Sequence, residues 1–255
     1  MKKIILFFVT IFAIAFSVNL YASSDKNKAS ETRQLKGFER IRLLGSPTIR
    51  YTQGKTWSVR VEAPKNMIKD VKTRVEGNYL VVSMQDSKSI TNFFSFRNMV
   101  DNRVVVHVTS PDLIGVEVQG SGDFECKSKV DTDNLDLSLR GSGDVKFSNI
   151  ICDRIRTSLV GSGDIEIKYV EARHSDVELV GSGDVSIKQS KVNQTQIELK
   201  GSGDIKMHCD KCQVVNCRLA GSGDITLSGV VTRLNQTTRG SGDIHTKGLQ
   251  IKHSK

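Results

Sequence analysis

From Phe38 onward apolar and polar residues alternate with a period of two, as strands with one buried face require. Arg40-Ile41-Arg42-Leu43, Thr48-Ile49-Arg50-Tyr51 and Ser58-Val59-Arg60-Val61 each turn apolar side chains one way and polar ones the other. Thr52-Gln53-Gly54-Lys55 separates the last two as a turn. Residues 79–84 and 103–108 predict further strands, and Pro111-Asp112 predicts a turn into another at 113–118. Residues 66–72 fit a short helix or a bent connection. Residues 86–102, with Phe93, Phe94 and Phe96 among polar neighbours, read as a long excursion.

A second period then takes over. Gly-Ser-Gly-Asp recurs seven times, starting at Gly120, Gly141, Gly161, Gly181, Gly201, Gly221 and Gly240, at steps of 21, 20, 20, 20, 20 and 19 residues. A short interval this constant means one unit stacked on itself. Each unit holds two alternating strands; in residues 181–200, Val185 and Ile187 oppose Ser186 and Lys188, and Ile197 and Leu199 oppose Glu198 and Lys200. Aligned units form aliphatic columns, one of them Leu139, Leu159, Leu179, Leu199 and Leu219. Stacked at ~4.8 Å per rung, such columns fill a narrow cylinder that no single rung could bury. The expected fold is therefore all-β: a parallel β-helix, right-handed by the usual chirality of parallel crossovers, with about 20 residues per coil. The expected divisions are a signal segment at 1–22, a flexible lead-in at 23–35, a less regular β-rich portion at 36–119 and the repeat β-helix at 120–250.

The repeated tetrapeptide reads as a structural turn. Its second glycines are Gly122, Gly143, Gly163, Gly183, Gly203, Gly223 and Gly242. Two glycines one residue apart permit positive φ at both, and small residues let stacked backbones come close. Ser is expected to hydrogen-bond to the next rung, and Asp to cap local N–H groups. Asp123, Asp144, Asp164, Asp184, Asp204, Asp224 and Asp243 then form a column of like charges, each neighbouring pair repelling by ~0.9 kcal/mol at 4.8 Å in water. Backbone donors, a basic row four residues on, or cations are the candidates to offset it. One Asp per coil supplies too few oxygens for calcium, which takes six to eight. The basic row, Lys127, Lys168, Lys188, His208 and Lys247, is also the candidate ligand face.

Composition adds compartment and partners. Lys2 and Lys3, the apolar run from Ile4 to Val18 and Leu20-Tyr21-Ala22 read as a cleaved secretory signal. The formal charge is +9, and cleavage leaves +7. Because the basic residues are spread along the whole chain, no nucleic-acid partner is expected; glycans or cell-envelope proteins fit better. Open rung ends also allow a homo-oligomer. Nothing marks one rung as catalytic, and the five histidines do not pair at ligand spacing. Gly-Ser-Gly is not the Gly-x-Ser-x-Gly elbow of a nucleophilic serine. No enzyme and no cofactor is expected. The five cysteines are odd in number and do not follow the repeat. Cys126, Cys152, Cys212 and Cys217 occupy inner columns as buried thiols, while Cys209 and Cys212 leave a local disulfide or a metal pair open.

Together these motifs resemble the bacterial "putative auto-transporter adhesin, head GIN domain" family. The resemblance rests on Gly-Ser-Gly-Asp followed by Val/Ile-x-Ile at the 20-residue spacing. Upstream it is carried by Phe38-Glu39-Arg40-Ile41, Thr52-Gln53-Gly54, Val59-Arg60-Val61-Glu62-Ala63 and Val108-Thr109-Ser110-Pro111-Asp112-Leu113, over residues 36–248. It implies an exported bacterial β-helix, typical of Bacteroidetes, with no established activity. Gly45-Ser46-Pro47 departs from the usual corner, and the Cys of lipid-anchored members is missing.

Overall fold

The computed structural model describes residues 27–84 and 103–252. The expected signal segment and the excursion at 86–102 lie outside the described residues. The strands are β1 (Lys28–Arg33), β2 (Arg40–Gly45), β3 (Thr48–Gln53), β4 (Ser58–Pro64), β5 (Val71–Glu76), β6 (Tyr79–Met84), β7 (Val105–Ser110), β8 (Gly115–Gly120), β9 (Asp123–Asp131) and β10 (Asn134–Gly141). They continue as β11 (Asp144–Ile151), β12 (Arg154–Gly161), β13 (Asp164–Glu171), β14 (His174–Gly181), β15 (Asp184–Ser190), β16 (Gln194–Gly201), β17 (Ile205–Gly221), β18 (Ile225–Gly240) and β19 (Ile244–Ile251). No helix occurs among the described residues. The 66–72 segment is the bent connection: Met67 and Ile68 donate back to the Pro64 carbonyl at 2.8 and 3.1 Å before β5 begins.

The architecture is a parallel β-solenoid of about 7 turns with roughly 20 residues per turn. In a first sheet β10, β12, β14, β16 and the second half of β17 pair in unbroken parallel register, so Leu139, Leu159, Leu179, Leu199 and Leu219 align. A second sheet stacks β9, β11, β13, β15 and the first half of β17 in parallel, with the register slipping between Phe147 and Asn149 and between Ile167 and Val170. The inward columns are fully buried; in the leucine column exposure never exceeds 2%. A buried leucine contributes about 1.5–3 kcal/mol, but only because the coil above covers it. Size is balanced along the columns: Cys126 lies between Tyr51 and Phe147, and Phe124 stacks on Phe147 at 5.2 Å between ring centroids. At the far end the inner columns turn polar, Leu219 facing Thr238 and Cys217 facing Gln236.

Two features of the N-terminal portion differ from the sequence expectation. First, it already builds coils: β2 pairs parallel with β8 and β3 with β9, Gly45 aligning with Gly120. Pro47 takes the second glycine's place and its carbonyl accepts the Asp123 N–H at 3.2 Å. The stacking order does not follow the chain, because β6 and β7 pair on the opposite edges of β2 and β3. The coil made first thus lies between two made later, reached through antiparallel strands β4 and β5. Second, residues 28–33 of the expected flexible lead-in are a strand, β1, antiparallel to β4. Its polar sequence hid it; an edge strand is held by backbone hydrogen bonds and needs little apolar burial.

The corners explain the tetrapeptide. The carbonyl of each first glycine accepts two N–H groups from the next coil: Gly161 O takes Ser182 N at 2.9 Å and Gly183 N at 3.2 Å. Only the first glycine has positive φ, 136° at Gly161 and Gly181. The second is required for another reason: a Cβ at Gly183 would collide with the Gly163 carbonyl oxygen. The serine contact runs through its backbone N–H, and the side chain stays exposed.

Candidate functional site

Period-two alternation sends every second side chain of the second sheet outward. On β11, β13, β15 and β17 this creates three parallel outer rows: the corner Asp, the residue two further on, and the residue four further on.

The Asp row is a hydrogen-bond ladder. Asp184 N donates to Asp164 Oδ1 at 3.1 Å, Asp204 N to Asp184 Oδ1 at 3.1 Å, Asp224 N to Asp204 Oδ1 at 3.0 Å and Asp243 N to Asp224 Oδ1 at 2.9 Å. The carboxylate therefore caps the next coil and not its own, which corrects the local-turn expectation. The rung breaks once, where Asp144 turns to Lys146 at 2.7 Å and Asp164 N bonds to Gly143 O instead. The basic side chains that reach the row, Lys146 and His245, sit two residues after an Asp, not four. The Asp243 N–H, then His245, hold the Asp224 carboxyl below its ordinary range.

The row four residues on is separated from the Asp row by roughly 13 Å of extended strand. Lys188, His208 and Ser228 are in direct register, and His208 Nδ1 lies 3.0 Å from Ser228 Oγ. Lys168 joins them in one shallow groove of 370 Å³, which also takes in Lys206, Glu166, Ser186 and Thr226. Among the described residues no carboxylate pairs with Lys168, Lys188 or Lys206. Lys206 was not singled out from sequence, although its alternation with Ile205 and Met207 points it outward. The structure does not bring the whole row together. Lys127 lines a separate groove with Arg50, His107 and Glu125. Lys247 slips out of register, since Gly248 is the residue opposite Ser228.

The outer face of the first sheet is different. Arg42 Nε meets Glu117 at 2.7 Å, Arg40 meets Asp136 at 3.1 Å, Arg156 bridges Asp136 and Asp176 at 3.3 and 3.8 Å, and Lys200 meets Glu178 at 3.4 Å. Those charges stitch one coil to the next. Lys191 and Glu171 do the same at the bends, at 3.0 Å. Among the described residues no group of three or more His, Cys, Asp or Glu side chains is arranged to hold a metal ion. All five cysteines are free and buried.

The family model described as "Putative auto-transporter adhesin, head GIN domain" matches residues 37–211 and 169–255. The chain belongs to this family. No curated protein matches it. Among solved structures, it is similar to one described as a "putative adhesin" from Bacteroides fragilis, with 24% identity, a TM-score of 0.75, and 86% of this chain and 97% of that one covered. A "putative adhesin" from Parabacteroides distasonis is 18% identical with a TM-score of 0.67 over 87% and 97% of the two chains. A "Putative lipid binding protein" from the same species is 19% identical with a TM-score of 0.63 over the same shares. At these identities the likeness is one of fold, and it covers nearly the whole of each partner.

Proposed function

We propose that this head GIN domain protein is an exported, non-enzymatic component of the bacterial envelope or cell surface, whose stiff coil stack presents a flat face for adhesion or scaffolding. Family membership supports a surface or exported role. The observation that carries the reading is the outer face of the second sheet. Lys168, Lys188, Lys206 and His208 stand there side by side in a shallow groove with no carboxylate paired to the three lysines among the described residues, while Arg40, Arg42 and Arg156 on the first sheet are tied to carboxylates of other coils. Weak contacts repeated along a rigid stack gain strength by multivalency.

The unpartnered lysines favour a second reading, a binding module for anionic polysaccharide. Fractionation and surface labelling of cells test the first reading; protein confined to the cytoplasm would overturn it. A glycan panel read at rising salt tests the second. Anionic polysaccharides are expected to bind and to be released by salt, neutral ones not, and K168E/K188E/K206E is expected to lose binding with its fold intact. Equal binding of neutral glycans, or a triple variant that binds as before, would reject it.

A further inference from the structure

One bulge in the fifth repeat gathers two thiols and an amide inside the core. There Cys209 is 0% exposed, Cys212 is 2% exposed, and the neighbouring coil contributes Gln189, also 0% exposed. The Gln189 amide nitrogen donates to Thr195 Oγ1 at 2.7 Å and faces both sulfurs, 3.4 Å from Cys209 and 3.7 Å from Cys212. Its amide oxygen is buried with no hydrogen-bond partner. Glutamine is a costly choice for an inner column whose other members include Val170 and Cys209, unless its amide serves the sulfurs.

Backbone geometry brings the two thiols together. Cys209 is opposite Gly229 and Cys212 opposite Val231, so three steps in β17 match two in β18. Lys211 takes up the extra residue in the left-handed region, at φ 54°. The Cα atoms of Cys209 and Cys212 therefore span about the rise of two extended residues, ~6.6 Å, at the upper edge of the ~4.4–6.8 Å that a disulfide accepts. Both side chains point to the same interior.

We propose that Cys209 and Cys212 form a reversible disulfide across this bulge, with a small organic disulfide of the glutathione type as oxidant. The Cys212 thiolate attacks one sulfur of the oxidant and displaces its partner as a thiolate. The Cys209 sulfur then attacks Cys212, forming the internal bond and expelling the second thiolate. The two protein thiols lose two protons and two electrons; the oxidant becomes two thiols. The order of attack follows from the site: Cys209 donates to Cys212 and, with Gln189, holds it below an ordinary thiol, whereas Cys209 is pushed up. Exchange proceeds as the coil closes, once Cys209 and Gln189 have met Cys212 and before the oxidant is shut out. The inference is independent of the basic face.

The test is refolding of the full mature chain in a mixture of reduced and oxidised glutathione, followed by alkylation under denaturing conditions and mass measurement. Three alkyl groups are expected in place of the five that a chain of free cysteines would take, with peptide mapping joining Cys209 to Cys212. Reduction is expected to restore all five. In C212S every remaining thiol is expected to alkylate. Five alkyl groups on the oxidised wild-type chain, or a link that leaves out either Cys209 or Cys212, would overturn the proposal; both readouts come from the wild-type protein and do not depend on the variant folding.

Discussion

The carboxylate of Asp204 accepts the backbone N–H of Asp224 at 3.0 Å, one coil further along. A column of like charges thereby becomes a column of acceptors, all but Asp144 and the terminal Asp243 engaged by a backbone donor from the next coil. Replacing Asp204 by Ala is expected to cost about 1–2 kcal/mol, and replacing it by Asn, which keeps the carbonyl oxygen, well under half of that. Urea unfolding midpoints of the two variants decide it; equal losses would mean the ladder contributes nothing specific.

Gly183 and Gly77 should respond very differently to Ala. At Gly183 the added Cβ meets a backbone carbonyl of the coil below, which cannot move without breaking the stack. A loss of about 3 kcal/mol or more is expected. Gly77 has φ 60° with nothing within 4 Å of a built Cβ, so only the left-handed penalty of about 1 kcal/mol applies. Thermal melts of the pair separate crowding from conformational preference.

Acid should weaken the first sheet through Glu117. Burial raises its pKa, but hydrogen bonds from Arg42 and Tyr79, 2.7 Å each, outweigh this and bring it below the ordinary 4.5. A carboxyl lowered by folding contributes fully above its unfolded value and loses that contribution as pH falls through the folded one. Stability of the wild-type chain is thus expected to drop below pH 4.5, and E117Q to show a shallower acid limb with lower stability at pH 7. Parallel acid limbs would exclude the residue.

Gln236 and Thr238 end the apolar columns above Cys217 and Leu219. Carrying the columns on with Q236V/T238L would leave an apolar, unpaired strand edge at the last coil. Light scattering is expected to show larger species for this variant than for the wild type at equal concentration.

Much of this fold was legible in the residues. Leu179 and Gly181 announce their places because the same residues recur one coil away, and recurrence converts a local pattern into a contact. What lacked a repeat stayed hidden. Nothing in residues 58–84 marks β4 and β5 as antiparallel detours, and nothing in Lys28–Arg33 outweighs its polarity. The candidate face was only partly readable. Lys188 and His208 follow from strict spacing, but Lys247 does not, because a register shift between Thr226 and Ser228 offsets it. Of the two reasons the sequence offers for the second glycine of each corner, close approach of stacked backbones holds and positive φ does not, because spacing alone cannot tell torsional freedom from crowding by a neighbour that only the stack supplies.

The position of β2 and β3 between β6–β7 and β8–β9 bears on assembly. Units of the later repeats can be laid down as they emerge, each on a finished template. The earliest unit cannot settle in that way, since both its floor and its roof are encoded downstream of it. This end of the molecule must close as one cooperative block spanning β2 to β9, and the remainder can then zip onto it in order of synthesis.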